Sequence, residues 1–523
     1  MSQKDSRPNI LFILSDDHAA NAISAYGGTF ASVAPTPNID RIAREGIRLN
    51  NCYCCNSICT PSRATILTGQ HSHVTGVRTL NTPLPDDARL LPELLGEHGY
   101  QTAIFGKWHL LCRPRGFDDW AVLPGQGIYF DPLFLYPNAD AIPRQAMPVG
   151  PGDLPDHEKG DAVGCAIARE RGYVTDLITD KTIRWLKGRD PSRPFFLCCH
   201  HKAPHDPFEY PTRLADYLAP VVLPEAQTLF EDDRALRELS RKYGSTMSER
   251  WPLRNAVKQL AAGVFPQYGP VDFAGLDAEA RTRKAYQLYN KAYLRTVRGI
   301  DDQVGRLLDY LDETGLAMNT LVIYASDQGM MLGEHDKIDK RWIFEESQRM
   351  PFLARLPGTI PAGSCSDALL DNTDIAPTLL DLAGIAIPGA MQGRSFLETL
   401  RKPGAGGKDA VYYRYWMHMT HHWVPAHYGI RTPDHKLVFF YGMKLDAPGC
   451  FDRGPWSENT EPGLELYDLR KDPLETRNAI HDPAYAAVAG QLKEKLLELK
   501  RDVGDTDDSY PELLKLQQAF LGG

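Results

Sequence analysis

Residues 57–69 combine a thiol, a rigid proline turn and an arginine, which together could support nucleophilic chemistry. Proline disfavours a helical residue before it and suits the first turn of a helix, so we expect a helix beginning near Pro61 with Cys59 at its mouth. A helix amino end attracts anions and lowers the pKa of a thiol, and Arg63 adds a permanent cation. The stretch therefore predicts a nucleophile in an anion-binding site. The alternative is a buried cysteine in a core helix.

The whole stretch is more specific than any one of its residues. It resembles the signature of the type I sulfatases of the alkaline phosphatase superfamily, Cys-x-Pro-Ser-Arg at residues 59–63 followed by Leu-Thr-Gly at 67–69. The resemblance implies that a formylglycine-generating enzyme oxidises Cys59 to formylglycine, an aldehyde whose hydrate attacks sulfur. It spans essentially the full chain, so the expected activity is hydrolysis of a sulfate monoester on a carbohydrate or aryl group.

Paired carboxylates follow the first apolar segment. Residues 9–14 read Asn-Ile-Leu-Phe-Ile-Leu, typical of a strand buried on both faces, and Asp16 and Asp17 come just after it. Two like charges about 4 Å apart repel by roughly 4 kcal/mol at an effective dielectric near 20. A bound cation is the simplest relief, and a solvated loop is the alternative.

A second apolar strand, residues 320–325, precedes Asp327 and Gln328 in the same way. The resemblance implies that these two residues join Asp16, Asp17 and the modified Cys59 around Ca²⁺, a hard cation that prefers oxygen donors. Mg²⁺ and Mn²⁺ are alternatives. Many relatives have asparagine or histidine where Gln328 stands.

Three further motifs resemble segments that carry sulfate-binding and proton-transferring residues in the family. Gly-Lys-x-His implies sulfate binding by Lys107 and places His109 near the formylglycine. Pro-His-x-Pro-Phe supplies His205. A lysine shortly before an aromatic–Glu pair matches Lys340, with Lys337 as the alternative.

The family's mechanism assigns a role to each of these residues. Arg63, Lys107 and Lys340 are expected to neutralise the sulfate oxygens. His205 or Lys340 is expected to protonate the departing alkoxide, and His109 to take the proton from the second hydroxyl of the hydrate, which expels sulfate.

The order of segments predicts an α/β fold, a large α/β/α sandwich whose mixed, mostly parallel sheet carries the site at the carboxyl ends of its strands. We expect residues 1–402 to form the catalytic domain, with 206–285 as an insertion that forms a lid or an oligomer contact. Residues 403–523 are expected to form a small C-terminal subdomain with an antiparallel sheet and a closing helix. Helices are predicted at residues 36–46 (with Asn38 as the cap), 91–98, 174–187, 281–314, 374–382 and 484–499, and a long loop over the site at 125–172.

The start of the C-terminal subdomain is rich in aromatic residues and carries four of the sixteen histidines of the chain. Aromatic faces and neutral donors suit the recognition of a sugar ring. The hypothesis is that Trp416, His418, His422 or His427 contacts the group that bears the sulfate. The alternative is that this segment forms the interface between the two subdomains.

Composition excludes several classes of protein. A net charge of −9 without a long Lys/Arg run argues against nucleic-acid binding, and no stretch approaches the roughly 20 apolar residues of a membrane span. The first apolar run is too short for a signal peptide, so a cytoplasmic location is expected. The ten cysteines are expected to be free thiols. Four of them, Cys52, Cys54, Cys55 and Cys59, are crowded, but their spacing fits no common zinc or iron–sulfur pattern.

Rival functions stay open at this point. A phosphonate monoester or phosphate diester hydrolase could use the same scaffold and the same formylglycine, since both reacting centres are tetrahedral and anionic. A catalytically silent binding protein could retain the fold. A zinc phosphatase of the wider superfamily would need more His and Asp ligands and a Ser or Thr nucleophile.

Overall fold

A mixed sheet of eleven strands forms the centre of the chain in the computed structural model, which describes residues 7–155, 162–231, 238–248, 273–420, 422–445 and 458–522. The strands of the structure are β1 Asn9–Ser15, β2 Ile47–Tyr53, β3 Gln101–Lys107, β4 Asp119–Leu123, β5 Leu133–Tyr136, β6 Met147–Val149, β7 Ala166–Arg169, β8 Phe195–His200, β9 Thr320–Ser326, β10 Met331–Leu332, β11 Ile338–Asp339, β12 Phe352–Arg355, β13 Ser364–Asp371, β14 Val411–Tyr415, β15 His427–Arg431, β16 His435–Phe440 and β17 Gly463–Asp468. The order in the large sheet is β13-β2-β12-β9-β1-β8-β3-β4-β5-β7-β6.

The five strands β9, β1, β8, β3 and β4 are parallel neighbours at the centre of this sheet. Strands β1, β3, β8 and β9 are buried along their whole length, as expected for apolar strands covered on both faces. Ser15 at the end of β1 pairs with Ser326 at the end of β9. The residues that follow these two strands therefore start from the same edge of the sheet.

Helices cover both faces of the sheet. Helices α2 (Cys59–Thr68), α4 (Leu91–Glu97) and α9 (Ile375–Leu382) pack in one hydrophobic core, and α1 (Pro37–Arg44), α5 (Val174–Gly188) and α7 (Ala278–Glu313) pack in the other. The fold is thus the predicted α/β/α sandwich. The α-helices are α1 Pro37–Arg44, α2 Cys59–Thr68, α3 Ser72–Thr75, α4 Leu91–Glu97, α5 Val174–Gly188, α6 Leu239–Lys242, α7 Ala278–Glu313, α8 Glu345–Gln348, α9 Ile375–Leu382, α10 Leu397–Arg401, α11 Ala486–Asp502 and α12 Pro511–Leu521.

The start of α1 corrects one prediction. Thr36 occupies the cap position, and Asn38 lies inside the helix. The backbone N–H groups of Asn38 and Ile39 both donate to Oδ1 of Asp301 on α7, each at 2.9 Å. A carboxylate from another helix therefore satisfies the first amides of α1, a long-range contact that the local sequence does not reveal.

The predicted loop at residues 125–172 is the second correction. It contains β5, β6 and β7, which extend the large sheet through antiparallel pairs. These strands have only three or four residues each, too few for a clear alternation of apolar and polar residues.

The C-terminal part forms the predicted antiparallel sheet, in the order β14-β15-β16-β17. One face packs against α11 and α12, and the other packs against the catalytic part around Trp342 and Phe344. The predicted insertion at 206–285 lies partly outside the described residues. Its role as a lid or oligomer contact, and the domain boundary at residue 402, stay predictions. Within the described ranges, no helix is long and apolar enough to cross a membrane.

Candidate active site

Four neighbouring parallel strands deliver polar residues to one edge of the sheet. Asp16 follows β1, Asp327 follows β9 and Lys107 ends β3, while His205 lies in the loop after β8. Helix α2 begins beside them with Cys59 as its first residue. The carboxyl ends of parallel strands are where α/β sheets bind ligands, and the predicted site lies there.

Helix α2 is anchored to the end of β9 by its own first turn. The Ser62 hydroxyl donates to the backbone carbonyl of Asp327, and Nε of Arg63 donates to Oδ2 of Asp327 at 2.9 Å. Arg63 also donates through Nη1 to the carbonyl of Lys107 at 2.9 Å. These bonds hold Cys59 and Asp327 in a fixed relation, although 268 residues separate them in the chain.

Three buried carboxylates meet at this edge. Oxygen atoms of Asp16, Asp17 and Asp327 all lie within 4.8 Å of one another, and each residue has 0% exposure. Gln328 donates through Nε2 to Oδ1 of Asp17 at 2.5 Å. Among the described residues, Oδ1 of Asp16 and Oε1 of Gln328 have no hydrogen-bond partner. Buried oxygen acceptors without donors, next to clustered carboxylates, fit a hard cation such as Ca²⁺.

The electrostatics of the cluster point the same way. Burial, reinforced by the charge of Asp16, raises the pKa of Asp327 to about 8. Burial also opposes the charge of Asp16, but the nearby cations, led by Lys107, hold the pKa of Asp16 well below its usual range. The charge of one carboxylate thus disfavours ionisation of its neighbour, and a bound cation would relieve this repulsion.

The thiol at position 59 corrects the prediction of a lowered pKa. Burial, followed by the charge of Asp16, raises the pKa of Cys59 to about 12. The helix amino end is outweighed because the side chain is completely buried and faces carboxylates. An unmodified thiol here would stay protonated and would be a poor nucleophile at neutral pH.

Two lysines reach the carboxylates. Lys107 is buried and donates through Nζ both to Oδ2 of Asp16 and, at 2.5 Å, to Oε1 of Gln126. Lys340 donates through Nζ to Oδ2 of Asp17 at 2.5 Å. Lys337, the alternative in the sequence motif, instead donates to the backbone carbonyls of Arg241 and Tyr243.

Two histidines complete the arrangement. His109 is buried, and burial together with the charge of Lys107 holds its pKa well below the usual range. His205 approaches Oδ2 of Asp17 with its Nε2 at 3.6 Å, and its Nδ1 lies 2.8 Å from Oδ1 of Asp206. Nδ1 also lies 2.7 Å from the backbone carbonyl of Asp206, so the backbone and the carboxylate of Asp206 together fix the orientation of the His205 ring.

Comparison with known proteins agrees with this geometry. The sulfatase family matches residues 8–385. The chain belongs to the sulfatase family. It is a hydrolase that acts on sulfuric esters. The C-terminal family described as N-sulphoglucosamine sulphohydrolase matches residues 333–454.

Individual relatives of this sulfatase resemble it along nearly its whole length. An N-acetylglucosamine-6-O-sulfatase from Bacteroides thetaiotaomicron is 36% identical over 98% of this chain and 89% of that protein. A solved structure of a protein in complex with its substrate, D-glucosamine-2-N,6-O-disulfate, is also similar to this chain. The TM-score is 0.81 and the sequence identity is 36%, and the match covers 96% of this chain and 99% of that chain. A phosphonate monoester hydrolase of Agrobacterium radiobacter, at 22% identity and a TM-score of 0.66, covers 95% of this chain and 96% of that one and shares the fold.

The C-terminal histidines of the sulfatase lie in different surroundings. His422 is near the site, with Nε2 3.5 Å from Oδ1 of Asp339, the residue before Lys340. His427 is completely buried and stacks on Trp342 and Tyr413. For His427, this placement favours the interface between subdomains.

Two further residues of the hypothesis are also buried. His418 accepts at Nδ1 from the backbone N–H of Ala426 at 3.1 Å and lies 3.1 Å through Nε2 from the carbonyl of Glu458. Trp416 lies under the guanidinium of Arg414, with its ring centre 3.6 Å away. Their contacts also favour a packing role.

Sequence reasoning missed the partners of the predicted residues. Gln126 contacts Lys107 from an irregular Gly-Gln-Gly segment, and nothing in its spacing marks it. Asp206 is the variable residue of the Pro-His-x-Pro-Phe motif. Its place next to His205 in the sequence could have identified it as the partner of that histidine.

Proposed function

We propose that this sulfatase hydrolyses a sulfate ester on an amino sugar, with 6-O-sulfated N-acetylglucosamine or glucosamine as the substrate class. The observation that carries the proposal is the meeting of Cys59 with Asp16, Asp17, Asp327 and a set of buried cations at one edge of the sheet. The sugar is supported by the name of the N-acetylglucosamine-6-O-sulfatase at 36% identity and by the D-glucosamine-2-N,6-O-disulfate substrate in the similar solved structure.

The cofactors follow from the site. Asp16, Asp17, Asp327 and Gln328 would hold Ca²⁺, together with residue 59 after its conversion to formylglycine by the modifying enzyme. When bound, the cation supplies Lewis acidity toward a sulfate oxygen, and the hydrated aldehyde supplies the attacking hydroxyl. The raised pKa of the unmodified thiol supports the need for this conversion.

The remaining side chains divide charge neutralisation and proton transfer between them. Arg63, Lys107 and Lys340 would neutralise the sulfate oxygens as charge builds up in the transition state. The leaving alcohol oxygen would take its proton from His205 or Lys340. His109, which is neutral at pH 7 because burial lowers its pKa, would accept the proton from residue 59 when sulfate departs.

Mass spectrometry and kinetics test the proposal together. In active protein made with a formylglycine-generating enzyme, the peptide containing residue 59 should carry formylglycine. The Cys59→Ala variant should fold but should not hydrolyse the sulfate ester. Full activity with an unmodified thiol would contradict the mechanism.

A substrate panel tests specificity. It should contain N-acetylglucosamine 6-sulfate, glucosamine 2-N,6-O-disulfate, N-acetylgalactosamine 6-sulfate, a small aryl sulfate and a phosphonate monoester. We expect the largest kcat/KM for one of the two glucosamine derivatives. A larger kcat/KM for N-acetylgalactosamine 6-sulfate would indicate that the substrate is a galactosamine sulfate. A larger kcat/KM for the phosphonate monoester would contradict the proposed sulfatase substrate and favour the phosphonate hydrolase alternative.

A further inference from the structure

One buried tyrosine of α7 contacts two of the loops that form the active site. The Tyr293 hydroxyl donates to the backbone carbonyl of Asp17 at 2.7 Å and accepts from the backbone N–H of Ala19 at 2.8 Å. Its ring packs edge-on against Phe208, with centroids 5.4 Å apart, in the loop that carries His205. Tyr293, Asp17 and Ala19 are all buried, with at most 1% exposure.

The segment that Tyr293 holds has an unfavourable backbone conformation. Asp17 has φ of +66°, in the left-handed region that residues with a Cβ rarely adopt. Such a conformation persists only where the surroundings impose it, and these positions concentrate at functional sites. The hydroxyl bridges the carbonyl before His18 and the amide after it, so it closes the turn that directs the Asp17 carboxylate toward Asp16 and Asp327.

The same face of α7 ties down a third segment. Asn290, one turn before Tyr293, donates through Nδ2 to the carbonyl of Leu332 at 2.9 Å, in the hairpin that leads to Lys340. Helix α7 therefore contacts the Asp17 turn, the His205 loop and the Lys340 hairpin from one side. Of these contacts, only the Tyr293 hydroxyl bonds to the backbone of a carboxylate residue of the site.

We propose that Tyr293 is a positioning residue of the active site, whose hydroxyl holds the Asp17 turn in the geometry that binds the divalent cation. The inference rests on the proposed function, since it assumes the cation site at Asp16, Asp17 and Asp327. Groups that orient metal ligands from behind contribute to metal affinity, and their loss commonly lowers it by about 10- to 100-fold.

Tyr293→Phe tests the inference because it keeps the ring and its packing and removes only the hydroxyl. Calorimetric titration of the metal-stripped full chain should show Ca²⁺ binding weakened by about 10- to 100-fold, with activity restored toward the wild-type level at high Ca²⁺. Tyr286→Phe is the matched control. Tyr286 is buried on the same helix, but its hydroxyl donates to the carbonyl of Pro224, away from the site. Its Ca²⁺ affinity should stay at the wild-type value.

The outcomes separate this inference from the proposed function. Wild-type protein that binds no divalent cation overturns the cation site and the role of Tyr293 together. Wild-type binding with equal affinity in Tyr293→Phe overturns the role of Tyr293 alone. Hydrogen–deuterium exchange in the wild-type protein gives a reading that does not depend on how the variant folds. Exchange at the amide of Ala19 should slow further when Ca²⁺ is added, and exchange that Ca²⁺ leaves unchanged overturns the inference.

Discussion

Nζ of Lys340 lies 2.5 Å from Oδ2 of Asp17, and both side chains are buried. Although burial opposes its charge, Asp17 holds the pKa of Lys340 well above its usual range. The lysine is therefore a fixed cation beside the carboxylate cluster, and the proposed mechanism uses it to neutralise the sulfate group.

Lys340→Met should lower kcat by about 100- to 1,000-fold, the usual effect of removing one group that stabilises charge in a transition state. Lys337→Met is the control, because Lys337 donates to the backbone carbonyls of Arg241 and Tyr243. It should leave kcat within a few-fold and lower the free energy of unfolding by about 1–3 kcal/mol, since it removes the hydrogen bonds of a buried lysine to two backbone carbonyls. Steady-state kinetics and denaturant unfolding measure both. Equal losses of kcat in the two variants would contradict the assignment of Lys340.

Asp327→Asn should remove the bound cation and most of the activity. The variant keeps the shape of the side chain but replaces the carboxylate that accepts from Arg63 and would bind the metal. Elemental analysis of the purified proteins should find calcium in the wild type and little in the variant.

Asp301→Asn is the matched control for Asp327→Asn, because Asp301 is also buried but accepts from the first amides of α1. It should lower stability and leave the metal content unchanged. Stoichiometric zinc in wild-type protein would instead favour the phosphatase alternative.

The buried strands that end at the site were predictable because their signal is local. An apolar run indicates the buried strand, and one serine separates it from Asp16 and Asp17 or from Asp327. These carboxylates could bind a cation or lie in a solvated loop, and the prediction of a cation came from the resemblance to the family. The roles of Lys107 and His205 came from the resemblance to a family, since neither motif is diagnostic alone.

The contacts that support these residues were not predictable from the sequence. Tyr293 lies 276 residues from Asp17, and its position in a helical apolar pattern marks it only as part of the core. The raised pKa of Cys59 depends on complete burial and on Asp16, both of which arise only when the strands assemble. The short strands β5 to β7 are fixed by pairing with the edge of the large sheet rather than by their own pattern.

His422→Ala should lower kcat/KM for the best amino-sugar sulfate by about tenfold, with little effect on a small aryl sulfate. His422 contacts Asp339, the residue before Lys340, and the Ser245 hydroxyl, so we expect the sugar beyond the sulfate to reach it. A small aryl sulfate lacks that sugar, so removal of the His422 side chain should leave its kcat/KM nearly unchanged.

His418→Gln is the control for His422→Ala, because the structure places His418 against backbone groups of Ala426 and Glu458. It should not discriminate between the two substrates. Equal losses of kcat/KM on sugar and aryl sulfates in His422→Ala, with a lower Tm, would show that His422 is structural.

His427 should make the stability of the protein sensitive to acid. It is completely buried between aromatic rings of the two subdomains, and burial lowers its pKa to about 4. In the unfolded chain its pKa is about 6.5, so below that pH the unfolded state binds a proton that the folded state does not. The stabilisation is complete at pH 7 and is lost as the pH falls, by about 2 kcal/mol at pH 5.

His427→Phe isolates this contribution, because phenylalanine keeps an aromatic ring in the cluster and does not titrate. Between pH 7 and pH 5, the free energy of unfolding of the variant should fall by about 2 kcal/mol less than that of the wild type, measured by denaturant unfolding. His481→Asn, at an exposed position, should follow the wild type. At pH 7 the His427→Phe variant should retain its kcat/KM for sugar and aryl sulfates, because His427 packs between the subdomains. Two results would contradict the packing role of His427. One is an equal loss of the free energy of unfolding between pH 7 and pH 5 in the wild type and in His427→Phe. The other is a loss of kcat/KM on the sugar sulfate alone, which would favour contact between His427 and the substrate.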